Sequence, residues 1–482
     1  MMNIEKTTTG LIIRESTPEV KQLVLQYFSL QNPLREFFVY SGDDPDHKPI
    51  LGHEHDVIYI TSGFLKINNP KIQKLKINST KEVPTPKKIS LAMNREPRSR
   101  LQEDCIKMMT TSSSDKITVE LKPGVGKTFI ALYSAAKLGL KPLIVAPTSL
   151  LKNQWIDNIV ELGIDKNDIA TKIWDAPDKK VCVVTISSLE GALRDDWNGL
   201  LKTLDKSSFG IKVIDEAHLH LKGILKFDAL CNIKHNWYLS ATLGRSDPSE
   251  DRILNRALSD AERFIGNSSY EEYQKEYVQV YLQDIYYFPS SKLCEKYFKY
   301  GKKGLIRASY YNMLMNYRGG QPFINNILTL MKRAKSIINY DGKILLLVPL
   351  ISIIDRVLIA MKNDPFFSKY TFAKVDGSMP LKVRQEAFES NFILSTSLSM
   401  GTGVDVSNLG VVVNFDQYSS SIIGEQIFGR LRDRGKETYY IDICDYVKQA
   451  GAITNWGKKR RLLIPYYPGA KQDMKRLPRI MC

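Results

Sequence analysis

No two of the six cysteines, Cys105, Cys182, Cys231, Cys294, Cys444 and Cys482, stand in C-x-x-C spacing, so neither a zinc ribbon nor a thioredoxin-type site is indicated. Scattered single cysteines suit a reducing cytosol. Long apolar runs are also missing. None approaches the roughly 20 residues that span a bilayer, and no charged-then-apolar signal segment opens the chain. The expectation is a soluble cytoplasmic protein with no membrane partner. Histidines are few. His53 and His55 stand two apart with no third partner, which reads as a solvated turn rather than a metal site.

Chain length and positive charge are plentiful. The 482 residues are 43% apolar, enough for two to four domains with cores of their own. The net charge of +16 and the pI near 9.3 point to a polyanionic partner, because Lys and Arg displace counterions from phosphates. The charge is uneven. Between Phe64 and Arg100, seven Lys and three Arg face only Glu82 and Glu96. A second run, Lys458, Lys459, Arg460 and Arg461, lies beside Tyr466 and Tyr467 and suggests nucleic-acid contact.

Patterning divides the chain. Residues 1–85 read as a small α+β accessory domain, with strands expected at Val57–Ile60 and at Lys71–Ile77, where polar and apolar residues alternate. We expect this unit to read duplex or junction shape through its basic edge. Lys81–Pro97, rich in Lys and Pro, reads as a linker. Across 86–250, apolar runs at Ile117–Leu121, Leu143–Ala146, Val181–Thr185 and Ile211–Ile214 alternate with helical patterns, as in an α/β parallel sheet covered on both faces. A second such lobe spans 251–445, with runs at Lys343–Val348, Phe372–Val375, Phe392–Ser395, Val411–Asn414 and Tyr439–Ile443. The Tyr- and Lys-rich stretch 250–320 reads as the connection between lobes. Residues 446–482 read as a short basic C-terminal extension.

Pro123-Gly124-Val125-Gly126-Lys127-Thr128 follows an expected strand and precedes the helical run Phe129–Leu138, the context a phosphate-binding loop requires. The glycines admit backbone N–H groups to the phosphates, and the helix N-terminus favours anions. Lys127 would reach the β- and γ-phosphates of ATP, and the Thr128 hydroxyl would ligate Mg2+. Leu121 stands where the strict eight-residue pattern has Gly. Asp215-Glu216-Ala217-His218 follows the run ending at Ile214, placing carboxylates at the ligand-binding end of a buried strand. Asp215 would hold Mg2+, partly through water, and Glu216 would polarise the attacking water.

Together these motifs resemble the DEAH-box-like superfamily 2 helicases, in family order over about residues 98–445. The resemblance implies two tandem RecA-like lobes and an ATP-driven motor on nucleic acid. Gln102 is placed like the glutamine that reads adenine. Pro147 and Thr148, followed by Gln154-Trp155, and Thr185 and Ser187 resemble segments that contact the nucleic-acid backbone. Ser240-Ala241-Thr242 resembles the motif that, with His218, couples hydrolysis to the nucleic-acid track. In the second lobe Thr396, with Gly403 and Asp405, resembles motif V, and Gln426 with Arg430 resembles motif VI. Thr396 would contact nucleic acid, and Gly403, Asp405, Gln426 and Arg430 would contact the nucleotide. An arginine from a second lobe neutralises charge on the transferring phosphoryl only on closure. The family's second arginine falls where Asp433 stands, and of the flanking Arg432 and Arg434 we expect Arg432 to replace it.

Within the superfamily the layout resembles the phage UvsW-type branch-migration helicases first and the poxvirus transcript-release helicases second. The expected function is therefore ATP-dependent remodelling of branched, forked or duplex DNA by a monomer, in the host cytoplasm if the chain is viral. Two alternatives stand beside it: release of RNA during transcription, with an RNA–DNA hybrid as partner, and a nucleotide-gated DNA clamp without net unwinding.

Overall fold

Runs of four to six apolar, β-branched residues become buried strands, as their composition predicts. The structure, a computed structural model, describes residues 3–14, 19, 58–61, 70–241, 243, 248–301, 304–400, 406–418, 421–432, 435–467 and 469–482. It divides into two units, Met1–Tyr270 and Glu271–Cys482.

In unit 1, β1 (Asn3–Lys6), β2 (Gly10–Arg14), β3 (Ile58–Thr61) and β4 (Ser79–Thr80) form a small sheet in the order β3-β2-β1-β4. Strands β5 (Lys116–Glu120), β6 (Pro142–Ala146), β7 (Ile169–Ala170), β8 (Val181–Thr185), β9 (Ile211–Ile214), β10 (His235–Ser240) and β11 (Glu262–Ile265) form the main sheet, ordered β11-β5-β10-β9-β6-β8-β7. Every pairing in it is parallel. The small sheet shares the main core: Ile4, Leu11 and Ile13 cluster with Ile224 and Phe227 of helix Leu221–Leu230. The Thr9 hydroxyl donates to the Asp228 carbonyl of that helix at 2.7 Å.

Two local expectations are corrected. The alternation at Lys71–Ile77 makes no strand. Pro70 instead opens the helical turn Pro70–Gln73, where its fixed φ suits a first helical position. Nor is Lys81–Pro97 a loose linker. Its backbone donors meet the C-cap carbonyls of three helices: Lys87 N to Ser208 O at 2.9 Å, Ile89 N to Gly139 O at 3.0 Å and Asn94 N to Leu162 O at 3.1 Å. Helix ends leave such carbonyls without intrahelical donors, so this strap completes the helices. Its charge has structural work as well. Lys88 Nζ donates to Leu138 O at 3.4 Å, at a helix C-terminus where a cation is favoured, and Arg95 pairs with Glu161.

Unit 2 contains β12 (Val278–Tyr286), a hairpin of β13 (Tyr300–Gly301) and β14 (Gly304–Leu305), then β15 (Lys343–Val348), β16 (Phe372–Val375), β17 (Phe392–Thr396), β18 (Leu409–Asn414), β19 (Thr438–Tyr446), β20 (Lys475–Arg476) and β21 (Ile480–Met481). The sheet runs β16-β17-β15-β18-β19-β12-β20, with β21 also on β12, and it too is parallel throughout. Strand β12 lies inside the stretch read as a connection. The last residues, read as an extension, are β20 and β21 of this sheet. Among the described residues no helix is long and apolar enough to cross a membrane.

The basic run near the C-terminus is also corrected. Arg460 is 1% exposed. It donates to Asp442 Oδ1 at 2.7 Å and to the carbonyls of Asp416, Tyr418 and Ile443. Arg461 donates to Asp442 Oδ2 at 2.8 Å and pairs with Asp284. Both arginines hold β19 and β12 to helix Gly451–Leu463. Only Lys458 and Lys459 of the run are exposed.

Candidate functional site

In unit 1 the main sheet directs its strand ends toward one site. Between β5 and helix Lys127–Leu138 the chain turns through Pro123–Gly126, with Gly124 at φ 88° and Gly126 at φ 96°. Both values lie in the left-handed region that favours glycine. A Cβ on Gly126 would also come within 2.8 Å of Gln102 Nε2. Leu121, where the family pattern has Gly, is fully buried. Its N–H donates to Ser240 O at 3.0 Å, so it extends the sheet.

Gln102, in helix Arg100–Thr111, is 2% exposed and clamps the turn. Its Nε2 donates to Val125 O at 2.7 Å, and its Oε1 accepts from Arg98 N at 3.0 Å. The Arg98 guanidinium donates to Gly124 O at 2.8 Å. Lys127 Nζ donates to Leu121 O at 2.9 Å, and Thr128 lies one residue on, half-buried.

Asp215 follows β9 and is 8% exposed. Burial, and then the Glu216 carboxylate beside it, push its carboxyl up to about 6. The Trp155 indole, the nearby Lys127 ammonium and the Glu216 N–H act in the opposite direction. Trp155 Nε1 donates to Asp215 Oδ2 at 2.7 Å, and Glu216 N donates to Oδ1 at 3.0 Å. Glu216 adopts φ 46°, a conformation that costs about 1–3 kcal/mol and concentrates at functional sites. Among the described residues its Oε2 is buried without a hydrogen-bond partner, and it lies 3.4 Å from His218 Nδ1. His218 Nδ1 also lies 2.8 Å from Ser240 Oγ. Since His218 follows β9 and Ser240 ends β10, this contact joins two neighbouring strands. A Thr hydroxyl with one carboxylate is a fitting donor set for Mg2+, which keeps most of its ligands as water and phosphate oxygen.

The structure thus brings Gln102, the Pro123–Thr128 turn, Asp215, Glu216, His218 and Ser240 into one site. Ala241 follows directly, and Thr242 lies outside the described residues. Thr148 and Thr185 are helix N-caps: Leu151 N donates to Thr148 Oγ1 at 3.3 Å and Ser188 N donates to Thr185 Oγ1 at 3.2 Å. Pro147 is buried and Ser187 exposed. These two helices begin at the ends of β6 and β8, which are sheet neighbours. Two roles escaped sequence reading, which placed Trp155 in a segment resembling a nucleic-acid backbone contact. Trp155 gave no sign that it holds Asp215, standing among the other apolar positions of its helix, and Arg98 looked like one of many surface charges.

In unit 2, Thr396 ends β17, and its hydroxyl donates to Ser399 Oγ at 2.8 Å. Helix Ser421–Phe428 carries Gln426. Arg430 follows it, 9% exposed, with Arg432 half-buried two residues on. Gly403, Asp405, Asp433 and Arg434 lie outside the described residues, as do His53 and His55.

Comparison with known proteins adds two family matches. Residues 91–243 match the model described as type III restriction enzyme, res subunit, and residues 327–434 match the helicase conserved C-terminal domain. A Haloarcula marismortui protein named DNA 3'-5' helicase Rad25 is 30% identical over 32% of this chain and 24% of its own length. An Acanthamoeba polyphaga mimivirus protein named as an ATP-dependent RNA helicase is 24% identical over 84% of this chain and 75% of its own. An African swine fever virus protein named likewise is 30% identical over 36% of this chain and 35% of its own. The chain therefore spans about a quarter of the first and about a third of the last. Among solved structures, Saccharomyces cerevisiae Dbp5 bound to RNA and ADP BeF3 superposes with a TM-score of 0.53 at 14% identity, covering 79% of this chain and 90% of that one. The likeness is one of fold: two α/β units of RecA-like type in tandem.

Proposed function

We propose that the chain is a superfamily 2 helicase, an ATP-driven nucleic-acid translocase acting on branched or forked DNA. One observation carries the reading. The Pro123–Thr128 turn, the Asp215-Glu216 pair and the His218–Ser240 contact lie at the C-terminal ends of the neighbouring strands β5, β9 and β10 in unit 1. That arrangement suits hydrolysis of ATP coupled to a neighbouring strand.

In this reading Lys127 and the backbone N–H groups of residues 124–128 bind the β- and γ-phosphates, and Gln102 faces the base. Thr128 and Asp215 hold Mg2+, which when bound neutralises charge on the phosphates. Trp155 keeps Asp215 oriented and favours its ionised form, since a donated hydrogen bond stabilises a carboxylate. Glu216 orients the attacking water and takes its proton. His218 passes the state of this site to Ser240. Arg430 supplies charge to the transferring phosphoryl group, with Arg432 as second arginine and Gln426, Gly403 and Asp405 as nucleotide contacts. The helix N-termini capped by Thr148 and Thr185, with Pro147 and Ser187 beside them, meet the nucleic-acid backbone, because such termini favour phosphate. Thr396 does the same from unit 2.

The 24%-identical mimivirus relative, matched over 84% of this chain, is named as an RNA helicase. It supports a second reading in which the motor releases RNA from hybrids. ATPase stimulation by single-stranded, duplex, forked and four-way DNA, RNA and an RNA–DNA hybrid separates the two. Strongest stimulation by forked or four-way DNA is the expected result. Strongest stimulation by RNA or the hybrid would replace it with the second reading.

A further inference from the structure

The segment from Lys292 to Arg307 lies outside both family matches, which end at 243 and begin at 327. It carries Lys292, Lys296, Lys299, Lys302, Lys303 and Arg307 against one acid, Glu295, with Tyr297, Phe298 and Tyr300 interleaved. In unit 2 it folds as helix Ser291–Tyr297 followed by the β13–β14 hairpin. Lys292 and Lys296 are four apart on the helix and so share a face. Both are exposed, as is Lys299, and among the described residues no carboxylate pairs with any of the three. Tyr300, on the first hairpin strand, is 68% exposed, and Ile306 beyond the second is 43% exposed.

A hairpin of two-residue strands does not hold itself together, and this one is anchored at its base. Ile306 N donates to Lys299 O at 2.8 Å, and Lys299 N donates to Ser309 Oγ at 3.0 Å. Leu305 is buried, and Phe298 packs on Tyr310 with ring centroids 6.5 Å apart. Arg307 pairs at 3.1 Å with the buried Asp416. Asp416 lies just beyond β18, in the segment that leads to helix Ser421–Phe428 and Arg430. The same segment is held by Tyr311, whose hydroxyl accepts from Gln417 N at 2.8 Å and donates to Phe415 O at 3.0 Å. The exposed ring and lysines are thus fixed to the part of unit 2 that bears the motif VI arginines.

The geometry points to this hairpin as a binding site for single-stranded nucleic acid, with Tyr300 stacking on a base and Lys292, Lys296 and Lys299 meeting backbone phosphates. An exposed ring among cations fits a single strand, whose bases present free faces, better than a duplex, whose bases are already stacked. The inference rests on the proposed motor reading but is tested without ATP.

The test is fluorescence anisotropy of the full chain with oligo(dT) and with oligo(U) over a salt series, no nucleotide added. Tyr300→Ala weakens binding about tenfold, the loss expected for one stacking ring, and Tyr300→Phe restores it. The triple variant Lys292→Gln, Lys296→Gln, Lys299→Gln lowers the slope of log K against log salt by about 2, at roughly 0.7 per lost phosphate contact. All four positions are exposed, so melting temperatures stay at the wild-type value. Loss on either oligonucleotide supports the site and tells DNA from RNA. Wild-type affinity and salt slope for both variants on both strands overturn it. Persistent ATP turnover in Lys127→Ala would instead sink the motor reading and leave the hairpin result standing.

Discussion

Lys127→Ala is expected to lower nucleic-acid-stimulated ATP turnover by about 10²–10³, the cost of removing one charged donor aimed at a phosphoryl group. The fold should not change. Lys127 is half-buried at the first position of its helix, and its ammonium donates to Leu121 O. Alanine is the best helix former there, and the turn keeps its shape through Gln102 and Arg98. A triphosphate oxygen is a stronger acceptor for the ammonium than the Leu121 carbonyl, because both partners are then charged. Steady-state turnover alongside anisotropy with oligo(dT) checks both halves. Turnover near background with unchanged nucleic-acid affinity is the expected pair, and undiminished turnover would remove Lys127 from the reaction and the motor reading with it.

The other large effect concerns stability. Arg460→Ala strips Asp442, which is 0% exposed, of one of its two guanidinium partners and takes a donor from the carbonyls of Asp416, Tyr418 and Ile443, of which Ile443 O keeps Gln417 Nε2 at 2.9 Å and Asp416 O keeps Asn414 Nδ2 at 3.4 Å. Breaking a buried ion pair from one side costs about 3–5 kcal/mol. For a unit of this size each kcal/mol moves the melting temperature by about 2–4 °C, so a fall of roughly 6–20 °C is expected. Lys458→Gln with Lys459→Gln should leave the melt unchanged, since both side chains are exposed. Thermal denaturation by circular dichroism measures all three changes. An Arg460→Ala melt within 2 °C of wild type, as a rough threshold, would mean that the guanidinium is not a keystone of unit 2.

That contrast also shows where reading residues in sequence stops. Strands built of Val, Ile and Leu, such as Lys343–Val348 and Val181–Thr185, are legible because an apolar run between turns has few other uses. Strand β12 was not. Gln279, Gln283 and Asp284 interrupt its pattern, yet all three are buried. The glutamine side chains donate to Asp473 O at 2.7 Å and Pro478 O at 2.8 Å, tying the C-terminal strands to the sheet. Those partners lie almost 200 residues away, and no local pattern announces them.

Charge misleads for the same reason. Arg460 and Lys458 look alike in the sequence. A helical register and one buried aspartate separate them. Lys88 and Arg95, exposed in the basic segment, also serve a helix end and an ion pair in unit 1, roles that their sequence does not announce. The shape of the Pro123–Thr128 turn was legible because its glycines act through local backbone geometry. The indole holding Asp215 was not, because Trp155 reaches it from another helix 60 residues earlier.

The proposed function depends most on Arg430 acting in the hydrolysis of ATP. Its most direct test is ATP turnover by Arg430→Ala at saturating nucleic acid, with nucleotide affinity measured on the same preparation. A fall of about 10³ or more in kcat, with affinity changed only a few-fold, is the expected outcome for an arginine that acts on the transferring phosphoryl group. Wild-type turnover in that variant would contradict the claim.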